Sequence, residues 1–242
     1  MDKRINQFLS RPVAHRGFHD LASGAPENTL AAFERAVQEG YPIECDLRLT
    51  KDNRVVVFHD DSLERLCGSS QLIEKCDYEE LKNFKVQNTS ESIPLLEELL
   101  ELAGSRVPLL LELKVRKFSG ELERRVRDLI TLFQDTVALQ SFHPVSVWWW
   151  NRNAPGFLRA LVAGDLTGVK LPRWQRVMVE NLAMLPLVKP HFISYQGTEL
   201  TRPVLSIIDL PIFAWTAHSQ KEGEGFLKNG ASNIIFEGYR PH

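Results

Sequence analysis

RPVAHRGFHDLASGAPENTLAAFERAVQEGYPIECDLRLT, residues 11–50, holds a strand, a helix and a second strand in one run. VAH at 13–15 is short, apolar and β-branched at its start. NTLAAFERAVQEG at 28–40 follows, with Leu30, Phe33, Ala36 and Val37 on one helical face and Gly40 placed to end the helix. PIECDLRL at 42–49 then alternates in the manner of a strand. Side chains two apart on a strand share a face, so Glu44 and Asp46 lie together while Cys45 points the other way. A strand–helix–strand unit of this kind builds a parallel sheet.

The same rhythm runs outward along the chain. RVVVFH (54–59) reads as a strand, DYEELKNF (77–84) and PLLEELLELAG (94–104) as helices, and PLLLELKV (108–115) as a strand. Helix 119–133, strand 137–142, helix 145–153 and strand 157–164 follow. Helix 173–185, strand 192–195, helix 202–210, strand 211–217, helix 221–230 and strand 232–238 complete the series. With PIECDLRL counted as a barrel strand and RVVVFH as an extra one, about eight βα units result. The expectation is an α/β fold, a (β/α)8 barrel, over a single domain of residues 1–242. No GxGxxG follows the first strand, which counts against a dinucleotide-binding open sheet.

The totals narrow the function classes. The chain has 242 residues, 43% hydrophobic and 25% charged, with 29 Lys and Arg against 31 Asp and Glu for a net charge of −2. Such a balance offers no broad basic surface for nucleic acid. No 18-residue run is free of charge, so stable membrane insertion is not expected. No sustained apolar segment follows the first residues, and Cys45, Cys67 and Cys76 have no metal-site spacing. The expectation is a cytoplasmic protein with reduced thiols.

The chemistry-bearing residues fall at strand ends. In PLLLELKV, Leu109, Leu111, Leu113 and Val115 form one face, suited to packing under helices. Leu110, Glu112 and Lys114 form the other, which looks into a barrel and turns polar toward the strand's C-terminal end, where barrel active sites lie. His15 and His59 close their strands at that same end. Glu44, Asp46 and Glu112 are an all-oxygen set that suits a hard divalent cation, Mg²⁺ or Ca²⁺. On spacing alone they fit equally as ion-pair partners of Arg16, Arg48 and Lys114. His15 and His59 have the chemistry of an acid/base pair, and Arg16 that of a phosphate grip. His19, His143, His191, His218 and His242 are read as structural or surface residues. Trp148, Trp149 and Trp150 cannot share one narrow helical face. They are read as helix-to-barrel packing with one exposed ring, the alternative being a lipid or oligomer contact.

AHRG (14–17), PENT (26–29), IECDLRLTKD (43–52), VVVFHD (55–60) and LELK (111–114), in that order, resemble the glycerophosphodiester phosphodiesterase family. SFHP (141–144), FAWTA (213–217) and NIIFEGYRP (233–241) extend the resemblance over nearly the whole chain. It implies a TIM barrel with a small insertion after the second strand, here about residues 60–90. It implies divalent-metal-dependent hydrolysis of a small glycerophosphodiester to glycerol 3-phosphate and an alcohol. By matching motifs it makes His15 and His59 the catalytic pair, Glu44, Asp46 and Glu112 the metal ligands, and Arg16 and Lys114 the phosphate contacts. Phe142 and Trp215 shape the pocket near the glycerol, and Glu27 is a ligand or a support. Two departures stand out: FEGYRP puts Glu237 close to the family's usual Asp, and WTAH puts His218 near the barrel mouth. Two rival functions keep the same residues: a lysophospholipase D acting on lipids, and a catalytically silent phosphodiester-binding protein. Head-group alcohol, native ion and oligomeric state are left open by the sequence.

Overall fold

A computed structural model describes residues 2–165 and 182–242. Nine strands form the sheet: β1 Val13–Ala14, β2 Ile43–Leu49, β3 Val55–Val57, β4 Leu109–Leu113, β5 Val137–Ser141, β6 Leu158–Ala163, β7 Phe192–Gln196, β8 Ile212–Ala217 and β9 Asn233–Phe236. Their order is β1-β9-β8-β7-β6-β5-β4-β2-β3, and β1 also pairs with β2. Eight parallel strands therefore close into a barrel. β3 lies outside it, antiparallel to β2, with Leu47 opposite Val57 and Leu49 opposite Val55. The sequence expectation of a (β/α)8 barrel with one extra strand is met.

Alternation within each strand divides the core. Leu109, Leu111 and Leu113 pack outward with Val126 and Ile130 of the helix Glu121–Ile130. Leu110 points inward, to a separate cluster with Val13, Ala138, Phe192, Phe213 and Ile235. Ile5 and Phe8 join that inner cluster and plug the barrel's N-terminal end. The Asn233 amide holds the plug by donating to the carbonyl oxygens of Phe8, at 2.5 Å, and Arg11, at 2.7 Å. The barrel floor is thus solid and apolar, and a polar site fits only at the other end.

The helix Leu30–Glu39 is capped by Thr29 and ends at Gly40 in the left-handed conformation (φ 70°), as the sequence predicts. Its buried residues are Ala32, Phe33, Ala36 and Val37; Leu30 is only half-buried. Between β3 and β4, Phe58, Leu63, Leu66, Ile73, Leu81 and Ile93 build a satellite core of their own. The helix expected over 77–84 shortens to Tyr78–Leu81. The helix expected over 202–210 is a 3₁₀ segment, Pro203–Ile207, because Pro203 opens it and Ile208 turns extended. The helix expected over 173–185 lies largely outside the described residues. Trp149 and Trp150 are buried against the barrel, and Trp148 is half-buried. Among the described residues no helix is long and apolar enough to cross a membrane.

Candidate active site

The register of neighbouring strands assembles the acids. Asp46 on β2 sits directly opposite Glu112 on β4, two residues above the Glu44–Leu110 pair. Glu44, Asp46 and Glu112 are 1%, 0% and 6% exposed, and one oxygen from each lies within 4.8 Å of the others. Three carboxylates this close repel, and burial penalises each charge. Burial, then Asp46 and Glu112, push the Glu44 carboxyl well above its usual range. Burial also pushes Glu112 up. At Asp46, burial is outweighed by Lys114, His59, Arg16 and His15, which together hold the carboxyl below its usual range.

Partial neutralisation comes from Lys114, whose Nζ is 2.6 Å from Glu112 Oε1 and 2.9 Å from Asp46 Oδ1. Both acidic residues are buried, so one ammonium is shared between two carboxylates. Three buried carboxylates in an all-oxygen set fit a hard cation. Arg16 Nε lies 3.4 Å from Asp46 Oδ2. Arg48 turns away, pairing with Asp61 at 2.5 Å and donating to the His59 carbonyl oxygen. The ion-pair reading of the acids therefore holds for Arg16 and Lys114 and fails for Arg48.

The HRG stretch turns sharply to reach this cluster. Arg16 (φ 55°) and Gly17 (φ 81°) are both left-handed. A Cβ on Gly17 would stand 2.9 Å from the Phe33 ring, so glycine is required there. The turn aims the Arg16 N–H at Glu44 Oε2, 3.2 Å away. Asn28, also left-handed at φ 57°, donates from its amide to Asp46 Oδ2 at 2.8 Å.

Each histidine has a carboxylate at Nδ1. His15 Nδ1 is 2.5 Å from Glu237 Oε2, and His59 Nδ1 is 2.6 Å from Asp60 Oδ1. Such a partner fixes the ring and favours the tautomer whose Nε2 is free. Burial, with Lys114 and Arg16 nearby, lowers the His59 pKa despite the opposing pull of Asp46. Glu237 is half-buried, but its contacts with His15 and His19 hold its carboxyl well below the usual range.

Asp60 joins a longer chain of charges. Arg65 bridges Asp60 and Glu27, and Glu27 accepts from Arg16 at 2.7 Å. Glu27 therefore supports Arg16 and stands outside the three-acid cluster. Burial opposes ionisation of Asp60, but the bonds from Arg65 and His59 win and hold its pKa at about 2 against an ordinary 3.8. A lowered carboxyl pKa adds stability above about pH 4 and loses it as pH falls toward 2. Asp60→Asn is expected to lower the urea midpoint at pH 7, with the gap to wild type closing by pH 2. A gap of constant size across that range would remove the linkage.

Around these groups lies a cavity of about 220 Å³, whose lining includes His15, Arg16, His59, Lys114, Phe142 and Trp215. Phe142 and Trp215 meet edge to face at 5.6 Å and form its apolar wall. Nine of the ten residues singled out in the sequence thus converge on one spot, and Glu27 backs them. Gln140, which no motif marks, joins them: it lies beside Glu112 in register, donates to Glu44 Oε1 at 3.2 Å, and accepts from Ser194 at 2.6 Å. Its inward position in VALQSF was the available signal. His19 and His218, read as structural or surface, both approach Glu237, at 3.6 and 3.2 Å. His143 stacks on Phe118.

The model of the glycerophosphoryl diester phosphodiesterase family matches residues 15–236. A glycerophosphodiester phosphodiesterase of Bacillus altitudinis is 31% identical over 243 residues, covering 94% of each chain. One from Caldanaerobacter subterraneus subsp. tengcongensis is 26% identical over 238 residues, covering 92% of each. In fold, the chain is similar to an Oleispira antarctica phosphodiesterase in complex with sn-glycerol-3-phosphate. The TM-score is 0.79 at 23% identity, over 96% of this chain and 94% of that one.

Proposed function

Since the chain belongs to the glycerophosphoryl diester phosphodiesterase family and is a phosphoric diester hydrolase, we propose that it cleaves small glycerophosphodiesters to glycerol 3-phosphate and an alcohol, using a divalent ion and a histidine pair. The observation that carries this is the meeting, in one cavity, of three buried carboxylates with two histidines whose Nδ1 atoms are each held by an acid.

Glu44, Asp46 and Glu112 would hold the ion, Mg²⁺ or Ca²⁺. When bound, such an ion polarises a phosphoryl oxygen and offsets charge on the reacting diester. Arg16 and Lys114 line the cavity as fixed cations and stabilise the charge that builds on the phosphoryl oxygens. Lys114 stays protonated for that task, since Asp46 and Glu112 outweigh burial and raise its pKa. One histidine takes a proton from the attacking oxygen; the other gives one to the leaving oxygen. The attacking oxygen is that of water or of the substrate's own glycerol 2-hydroxyl. Hydrolysis in ¹⁸O-water, with a search for cyclic phosphate, separates the two. Phe142 and Trp215 pack against the glycerol carbons.

The deciding experiment is turnover of glycerophosphocholine and glycerophosphoethanolamine after EDTA treatment, then with Mg²⁺ or Ca²⁺ restored. Glycerol 3-phosphate is expected only with the ion present. Full turnover in EDTA would overturn the role given to the carboxylates. No turnover with either ion, of these two diesters or of glycerophosphoinositol, would overturn the substrate class.

A further inference from the structure

Beyond the catalytic cavity the barrel mouth continues into a groove. The cavity shares Glu112, Lys114 and Phe142 with a second depression of about 230 Å³. That depression shares Arg48, Asp61, Lys114, Val115 and Arg116 with a third hollow of about 340 Å³, reaching over Thr50 and Lys117 to Leu72 and Ile73 of the inserted segment. Lys114 borders all three, so the hollows adjoin one another beside the reacting centre.

The charges along it are not balanced. Five cations border the outer hollow: Arg48, Lys51, Lys114, Arg116 and Lys117. Its acids are Asp61, Glu74 and Glu123. Arg48 is spent on Asp61, and Lys114 on the buried carboxylates. Lys51 pairs with Asp77 at 3.4 Å, and Glu74 lies 3.9 Å from Lys75. Glu123 is 1% exposed, and burial pushes its carboxyl up toward the neutral form. Arg116 and Lys117 are left: both are exposed, and neither makes an ion pair with a carboxylate among the described residues. They lie just past Lys114 in the run LKVRK (113–117), so the loop that follows the catalytic lysine carries two more cations along the groove.

Resting on the diesterase reading above, we propose that this groove is the leaving-group subsite and that it takes an alcohol carrying a second phosphate, gripped by Arg116 and Lys117. A guanidinium beside an ammonium matches a phosphate dianion in charge and donor number. Ser119 borders the same hollow and supplies a hydroxyl donor, while Val115, Leu72 and Ile73 give the ring or chain of the alcohol an apolar floor. A cationic alcohol such as choline would find repulsion there. A new phosphorus–oxygen bond forms to the attacking water or glycerol 2-hydroxyl, which gives up its proton to one histidine; the bond between phosphorus and the oxygen of that alcohol breaks, the other histidine protonates that oxygen, and the second phosphate leaves intact on the alcohol.

The test compares two substrates that differ by one phosphate, glycerophosphoinositol and glycerophosphoinositol 4-phosphate, with Mg²⁺ or Ca²⁺ restored. In the wild-type enzyme at low salt, kcat/KM is expected to favour the phosphorylated diester about 10-fold, the size of one charge-assisted contact. That preference should shrink as NaCl screens the groove. In Arg116→Gln/Lys117→Gln the two substrates should become nearly equal, the loss of kcat/KM falling mainly on the phosphorylated diester. Equal turnover of both by the wild-type enzyme, or a preference that survives the double substitution, overturns the subsite while leaving the diesterase reading intact. Turnover of neither overturns that reading, and the subsite with it.

Discussion

His15→Ala and His59→Ala each lower kcat for a glycerophosphodiester by about 10²–10⁴-fold, as expected for loss of a positioned acid or base. Both rings face the cavity and are partly exposed, with side chains 17% and 33% accessible. Truncating either therefore removes chemistry with little loss of packing, and urea midpoints should move little. The effect should fall on kcat more than on KM, because the proton transfers are made only in the transition state. Loss of His15 also frees Glu237 from its 2.5 Å partner, leaving it to His19 and His218. Steady-state kinetics with circular dichroism on both variants check this. Near-wild-type kcat in both well-folded variants would remove the histidine pair from the mechanism.

Glu44→Gln abolishes the thermal stabilisation that Mg²⁺ or Ca²⁺ gives the wild-type protein. An ion at about 100 times its Kd stabilises a folded chain by about 2.7 kcal/mol, and loss of a charged ligand removes most of that. The metal-free variant should stay close to wild type in stability. Burial and the neighbouring acids already push Glu44 toward its neutral form, and glutamine has the same shape. The Gln140 amide keeps an acceptor at that position, while the Arg16 N–H, now 3.2 Å from Glu44 Oε2, loses its acceptor to an amide NH₂ and costs the variant that one bond. Asp46 is a poorer choice, since it balances Lys114 and Arg16 and its loss strands buried cations. Thermal melts with and without each ion decide the matter. A full ion-induced shift in the folded variant would mean that the acids serve only as partners of Lys114 and Arg16.

Local patterns fixed much of this in advance. Period-two alternation in PLLLELKV separates outward Leu109, Leu111 and Leu113 from inward Leu110 and Glu112, and the same rule pairs Glu44 with Asp46. The strand–helix rhythm fixes the barrel, since a parallel strand can be reached only by a crossover. Contacts between residues far apart in the chain left no such trace. The Glu237 partner of His15 is 222 residues away, and Gln140 meets Glu44 across 96. The family resemblance leaves Glu27 as ligand or support, and its pairing with Arg16 and Arg65 makes it a support. Arg116 and Lys117 follow Lys114 in the chain, but only the folded structure shows that they border one hollow with Arg48 and Lys51. Spacing along a strand determines which way a side chain points, because the backbone repeats every two residues. Which other side chain it meets is decided by barrel closure and strand register, and those exist only in the folded chain.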